Sequence, residues 1–251
     1  MTGSDDRGAP RAGLDDRSAL RAGLDYRRAL RFLFDDEQWW VTVLFVTLAM
    51  LVPLVGPIVA LGFQGAVVQS LARGGAAARP PRFEIERLAD YLLCGLRLFV
   101  VSLLLTVVLV PIALVVLFTG NLGALVLFSR ETAVTSVLGC IAVGAMAALF
   151  VAVMVLALAA ITPLLVRASL DPDLAGVFDL AFARDFLARV GRETVLSLLV
   201  HLAINLALFF GGVLACFVGV FPALAFGTLV QAHLMGQLYL LYLGRGGRRI
   251  G

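Results

Sequence analysis

The sequence predicts an all-α membrane protein: a polytopic transmembrane helix bundle of about six spans, with amphipathic surface helices near 25–36 and 173–190. Composition gives the first indication. Of 251 residues, 61% are hydrophobic and 15% charged, against roughly 45–50% and about 25% in soluble domains. The charges are also segregated, leaving 38–72, 98–129, 132–166 and 194–244 without any Asp, Glu, Lys or Arg. Each stretch exceeds the roughly 20 apolar residues a helix needs to cross a bilayer. Finally, arginines crowd into alternate connections between these stretches. Such a chain is neither disordered nor an ordinary soluble enzyme.

The elements follow in order. The first 37 residues are charged and polar, with no apolar core behind a short basic start. The first span is therefore expected to act as an uncleaved signal anchor. A decapeptide repeats here: Asp5–Leu14 (DDRGAPRAGL) and Asp15–Leu24 (DDRSALRAGL) agree at eight of ten positions. Residues 1–24 are expected to form a mobile repeat tail, with partner docking as its alternative role. The third unit, Asp25–Phe34 (DYRRALRFLF), is more apolar and leads into Asp35, Asp36, Trp39 and Trp40. It predicts an amphipathic helix over 25–36 on the inner surface, with Trp39 and Trp40 as interfacial anchors.

A straight helix from Trp39 to Ala72 would be about 51 Å long at 1.5 Å per residue, well beyond a core of about 30 Å. Pro53, Gly56 and Pro57 interrupt it. This predicts two short spans, 39–54 and 57–72, in a hairpin; one kinked span is the alternative. A helix from Asp90 to Phe118 follows, with Pro111 as a kink. Gly120, Asn121, Gly123, Arg130 and Glu131 suggest a loop over 120–134, and the next helix is placed at 135–166. Leu174, Phe178, Phe182, Phe186 and Val190 recur every four residues. They predict an amphipathic helix over 173–190, capped by Asp171 or Asp173 and lying flat or against the bundle. Gly211, Gly212, Gly219 and Pro222 divide the last stretch into helices at 194–214 and 219–243. Residues 25–243 thus form a single transmembrane helical domain, and 244–251 a basic C-terminal tail.

All 20 basic residues are Arg, and they decide orientation. Segments 1–37, 73–87, 167–192 and 245–249 are arginine-rich, whereas the 119–135 loop holds only Arg130 and the 211–219 turn none. With six spans, every rich segment is cytoplasmic and both termini lie inside, as the positive-inside rule asks. The expected location is the cytoplasmic (inner) membrane. The basic face is expected to meet anionic lipid headgroups rather than nucleic acid, and a protein partner or a homo-oligomer is the further expectation.

Catalytic signatures such as G-x-S-x-G, H-E-x-x-H, C-x-x-C and the P-loop are missing, so no enzyme activity and no cofactor is expected. Cys94, Cys140 and Cys216 read as small apolar residues, with a Cys140–Cys216 disulfide as the alternative. One polar constellation stands out. Ser197, His201 and Asn205 follow Glu193 at a stride of four, and His233 and Gln237 share a face of the last span. Counting from the charged ends at 1.5 Å per residue, Gln64, His201 and His233 lie about 12–16 Å deep. Gln64, His201, Asn205, His233 and Gln237 are therefore a candidate intramembrane polar layer. As interhelical hydrogen-bond glue each group is worth about 0.6 kcal/mol; as a substrate or proton path they would face the bundle interior. Two His without a nearby carboxylate or Cys make a poor metal site. Arg97 reads as an interfacial anchor, snorkelling to Asp90 or a lipid phosphate. Cys140, Gly144, Ala148 and Ala152 form a small-residue helix-packing face.

Three stretches carry a resemblance to a known family. They are Ala29-Leu30-Arg31-Phe32-Leu33-Phe34-Asp35-Asp36 with Trp39–Trp40 and the broken span to Gly65; Pro81-Arg82-Phe83 with Ala89-Asp90-Tyr91 and Gly95-Leu96-Arg97; and the last span with Gln231, His233, Gly236-Gln237 and Tyr239. Over about 25–243 the chain resembles the prokaryotic polytopic membrane proteins grouped as domain of unknown function four thousand and thirteen. That resemblance implies a multi-span inner-membrane protein and brings no activity, cofactor or catalytic residue. The expected function is a non-catalytic membrane component, a scaffold or subunit. The alternative is a small transporter or channel using the polar layer and the broken first hairpin.

Overall fold

The computed structural model describes residues 23–53, 55–75, 78–129, 132–215 and 218–250. Most of the repeat tail, Cys216, Arg130 and Glu131 lie outside them. The described residues are helical and contain no strand.

The first helix, α1, is short, Tyr26–Arg31, and tightens into a single 3-10 turn over Phe32–Asp35. Asp25 caps it by accepting the Arg28 backbone N–H at 2.9 Å. Arg27, Arg28 and Arg31 point outward while Ala29, Phe32 and Leu33 are buried. The amphipathic pattern is therefore real, but its apolar face is already covered by this chain, with Ala29 against Val230 and Leu234.

Residues 39–72 form two helices rather than one kinked span: α2, Trp39–Met50, and α3, Val55–Gly74. Pro53 removes a backbone donor at the break. Gly56 seats against the Ala49 carbonyl where no Cβ fits, so α2 folds closely back on α3. With 12 residues, α2 reaches about 18 Å at 1.5 Å per residue, short of a bilayer core of about 30 Å. Five helices among the described residues are long and apolar enough to cross a membrane. The six expected spans are found as five long helices and one short apolar arm.

Two of the long helices are α4, Leu88–Phe128, and α5, Ala133–Leu170. They make the most extensive helix pair in the molecule. The loop expected at 120–134 shrinks to 129–132, because α4 continues through Pro111, Gly120 and Gly123. Glycine and asparagine break helices in water, where an open backbone is solvated. In an apolar setting the backbone must satisfy itself, which favours continuing the helix. Asn121 joins in by donating Nδ2–H to the Leu117 carbonyl at 2.7 Å. Thr132 and Thr135 close a capping box at the start of α5.

After one turn at Leu174–Val177 (α6), Asp179 accepts the backbone N–H groups of Ala181 and Phe182, both at 3.0 Å. It opens α7, Leu180–Leu214, which bends at Val190 (φ −131°). The amphipathic segment expected over 173–190 is present as 180–190, set off from the rest of α7 by the non-helical backbone at Val190; it starts later than expected, and its cap is Asp179 rather than Asp171 or Asp173. Phe182, Phe186 and Val190 are buried against Val166, Tyr239 and Tyr242, while Phe178 stays exposed.

The last helix, α8, spans Val220–Gly244. At the turn before it, a Cβ on Gly212 would lie 2.8 Å from the Val220 backbone, so the two ends meet glycine to glycine. From Ala225 to Tyr242 nearly every α8 residue is buried. Helices α1, α2, α3, α5 and α7 all touch it, which makes α8 the axis of the fold. Beyond it Gly246, at φ +82°, turns the chain back. The Arg248 and Ile250 N–H groups then donate to the hydroxyls of Tyr242 (3.0 Å) and Tyr239 (2.9 Å). The basic C-terminal tail is stapled to the bundle.

Candidate functional site

Helix α8 distributes the polar groups, because its buried positions face different neighbours. Gln237 points to α1. Its Oε1 accepts the Asp25 N–H at 2.9 Å and its Nε2 donates to the Asp25 carbonyl at 3.1 Å. One turn earlier His233, 1% exposed, stacks on Phe32 with ring centroids 4.3 Å apart. Neither of its ring nitrogens has a partner among the described residues. These two residues fix the N-terminal segment to the bundle.

His201 and Asn205 sit elsewhere. The stride of four on α7 is as expected: Asn205 Nδ2 donates to the His201 carbonyl at 2.9 Å and lies 2.8 Å from its Nε2. Gly227 of α8 leaves the space that Asn205 fills. His201 lines a small cavity with Thr162, Ser197, Gln231 and Met235. Its volume is about 20 Å³, room for about one water. Gln64 of α3 is buried and donates to the Met235 sulfur at 3.4 Å. The five residues therefore fall into three contacts: Gln237 and His233 with α1, His201 with Asn205, and Gln64 with Met235, which also lines the His201 cavity. No cavity among the described residues is lined by all five.

Arg97 does not pair with Asp90; its Nη1 donates to the Asp171 carbonyl at 2.9 Å. Asp90 instead pairs with Arg87 at 3.6 Å. Trp39 packs at the edge of the core against Phe34, while Trp40 is 57% exposed.

Two ionic clusters escaped the sequence reading. In one, Arg167 donates to Asp179 at 2.7 Å, faces Asp171 at 3.8 Å and lies over the Phe182 ring. In the other, Asp185 accepts from Arg189 (2.9 Å) and from the Tyr242 hydroxyl (2.8 Å), and Arg245 pairs with Glu193 at 2.5 Å. Arg189 and Arg245 also donate to each other's backbone carbonyls. The available signal was the i,i+4 spacing of Arg167–Asp171 and Asp185–Arg189. A third pair, Arg82 on Asp36, is bidentate at 2.8 and 2.9 Å. The Arg82 guanidinium holds the Asp36 carboxyl below its ordinary value, and the Phe182 N–H does the same for Asp179. Among the described residues no three His, Cys, Asp or Glu are placed to hold a metal ion. Cys94 is buried and Cys140 exposed.

The small-residue face of α5 finds no partner among the described residues. Ala148 and Ala152 are exposed, and a Cβ on Gly144 would meet nothing. Ala148 and Ala152, with Val151, Val155, Val195 and Leu199, floor an apolar groove of about 600 Å³ between α5 and α7.

Long apolar helices, an exposed apolar surface and ionic clusters at the helix ends define a multi-pass helical membrane protein. Within that class, the chain belongs to the family described as Protein of unknown function (DUF4013), whose model matches residues 45–220. The match covers α3 to α7, and leaves out α1 and nearly all of α8. No curated protein and no solved structure matches the chain.

Proposed function

We propose that this protein is a non-catalytic component of the cytoplasmic membrane, a scaffold or subunit that holds a partner's transmembrane helix in the groove between α5 and α7. The observation that carries this reading is the uncovered face of Ala148 and Ala152. Helices in lipid associate through close packing, and small residues let backbones approach. Inside the chain such residues are covered wherever α3 meets α4. On α5 they are left open beside a groove with almost no polar lining.

Both termini lie on the cytoplasmic side in this reading. Two of the arginine-rich segments, 167–192 and 245–249, meet at one end of the bundle, where Arg189 and Arg245 donate to each other's backbone carbonyls and Glu193 pairs with Arg245, and this supports placing them on one side. Transport ranks second. It draws on His201 and His233, whose surroundings are one small cavity and a ring stack.

Cross-linking tests the reading. A photoreactive residue replacing Ala152, activated in native membranes, is expected to capture one discrete polypeptide. The same probe at Leu103, an exposed position on α4, is expected to capture lipid. Capture of lipid alone at both positions contradicts the proposal.

A further inference from the structure

A second recess lies between α3 and α4, away from the groove. Its volume is about 290 Å³, and Gln69, Arg87, Asp90, Tyr91, Cys94 and Arg97 contribute to its lining. Its depth in the membrane follows from the charges. Arg97 is the last charged residue before the 98–129 stretch, and Arg167 the first after 132–166. Both meet Asp171, one at its backbone carbonyl and one at its carboxylate. The charged edges of α4 and α5 therefore share a level, which is where headgroups replace hydrocarbon. Above it Leu103, Leu104 and Val107 of α4 are exposed and apolar, so acyl chains run along this face. Leu93, 66% exposed, lies at the mouth.

The chemistry of the recess is specific. A guanidinium offers five N–H donors in a planar fork that matches phosphate oxygens. Arg97 commits Nη1 to Asp171. Arg87 holds Asp90 at 3.6 Å with both side chains about half exposed or more, a loose pair of the kind that contributes little. Two arginines and one aspartate leave a net lining charge of +1. That suits a phosphodiester monoanion better than a dianion. We propose that the recess binds the phosphodiester of one phospholipid headgroup, with Arg87 and Arg97 as donors, as a defined site distinct from general attraction to an anionic surface.

The test uses the detergent-purified full chain and follows thermal unfolding during titration with dihexanoyl-phosphatidylglycerol, inorganic phosphate or dihexanoylglycerol. Saturable stabilisation by the phospholipid alone is expected, and Arg87→Gln and Arg97→Gln should need at least about tenfold more of it, equivalent to about 1.4 kcal/mol. Helical circular dichroism checks both variants. Should Arg97→Gln fail to fold for want of its Asp171 bond, Arg87→Gln decides. No response of the wild type, or an equal response of all folded proteins, overturns the site. An equal response to inorganic phosphate makes it a free-anion site and overturns the lipid assignment, and an equal response to dihexanoylglycerol reduces it to apolar contact.

Discussion

His233 and Gln237 are neighbours on one face of α8, yet they are predicted to respond oppositely to the same substitution. Gln237 exchanges two hydrogen bonds with the Asp25 backbone, each worth about 0.6 kcal/mol in a membrane setting. His233 contributes a ring stack and no bond among the described residues. Burying a polar group without a partner is costly, and an apolar replacement of similar size removes that cost. His233→Leu is therefore expected to keep or raise the unfolding temperature, whereas Gln237→Leu lowers it and opens 25–35 to proteolysis. Equal losses in both would contradict the contrast. The sequence showed that both residues are polar and deeply placed. It did not show which neighbour each one faces, because that depends on how α1 docks.

Protonation belongs to the same scale. Asp36 and Asp179 have carboxyls held below the ordinary value. A depressed folded value contributes stability above the unfolded value of about 3.9 and loses it as pH falls through the lower, folded one. Melting measured from pH 7 downward should be flat in these groups until about pH 4 and then decline. Asp36→Asn and Asp179→Asn should each start lower at pH 7 and decline less. A decline already complete by pH 6 would point to other groups.

Among the elements, the crossing of α3 and α4 depends on two glycines. Gly62 lies against the Tyr91 carbonyl and Gly95 against the Ile58 carbonyl, with no room for a Cβ on either side. Gly62→Ala and Gly95→Ala are each expected to cost about 1–3 kcal/mol, the usual range for overpacking, seen as a lower unfolding temperature in detergent. Gly144→Ala on α5 meets open space and should be close to neutral. The sequence pointed to α5 as the close-packing face and missed Gly62 and Gly95. Spacing locates small residues on a helix, whereas the crossing point is set by how two helices meet. The charge-free stretches were legible because they are a property of composition. The ends of α4 and α7 were not, since Gly120, Asn121 and the 173–179 segment read as breaks or starts by rules that hold in water.

For the whole molecule, α8 is wrapped by α1, α2, α3, α5 and α7, while the Ala148–Ala152 face of α5 stays open among the described residues. A carrier needs a continuous polar route, and its polar groups would share a cavity. Among the described residues they are divided among packed contacts, and the proposed reading takes them as adhesive, with a partner at the open face. Native mass spectrometry of the protein gently extracted from its host tests this most directly. The expected result is a second polypeptide in fixed ratio, lost in an Ala148→Trp variant that retains its helical content. A wild-type chain found alone would contradict the account, as would a companion that survives filling of the groove.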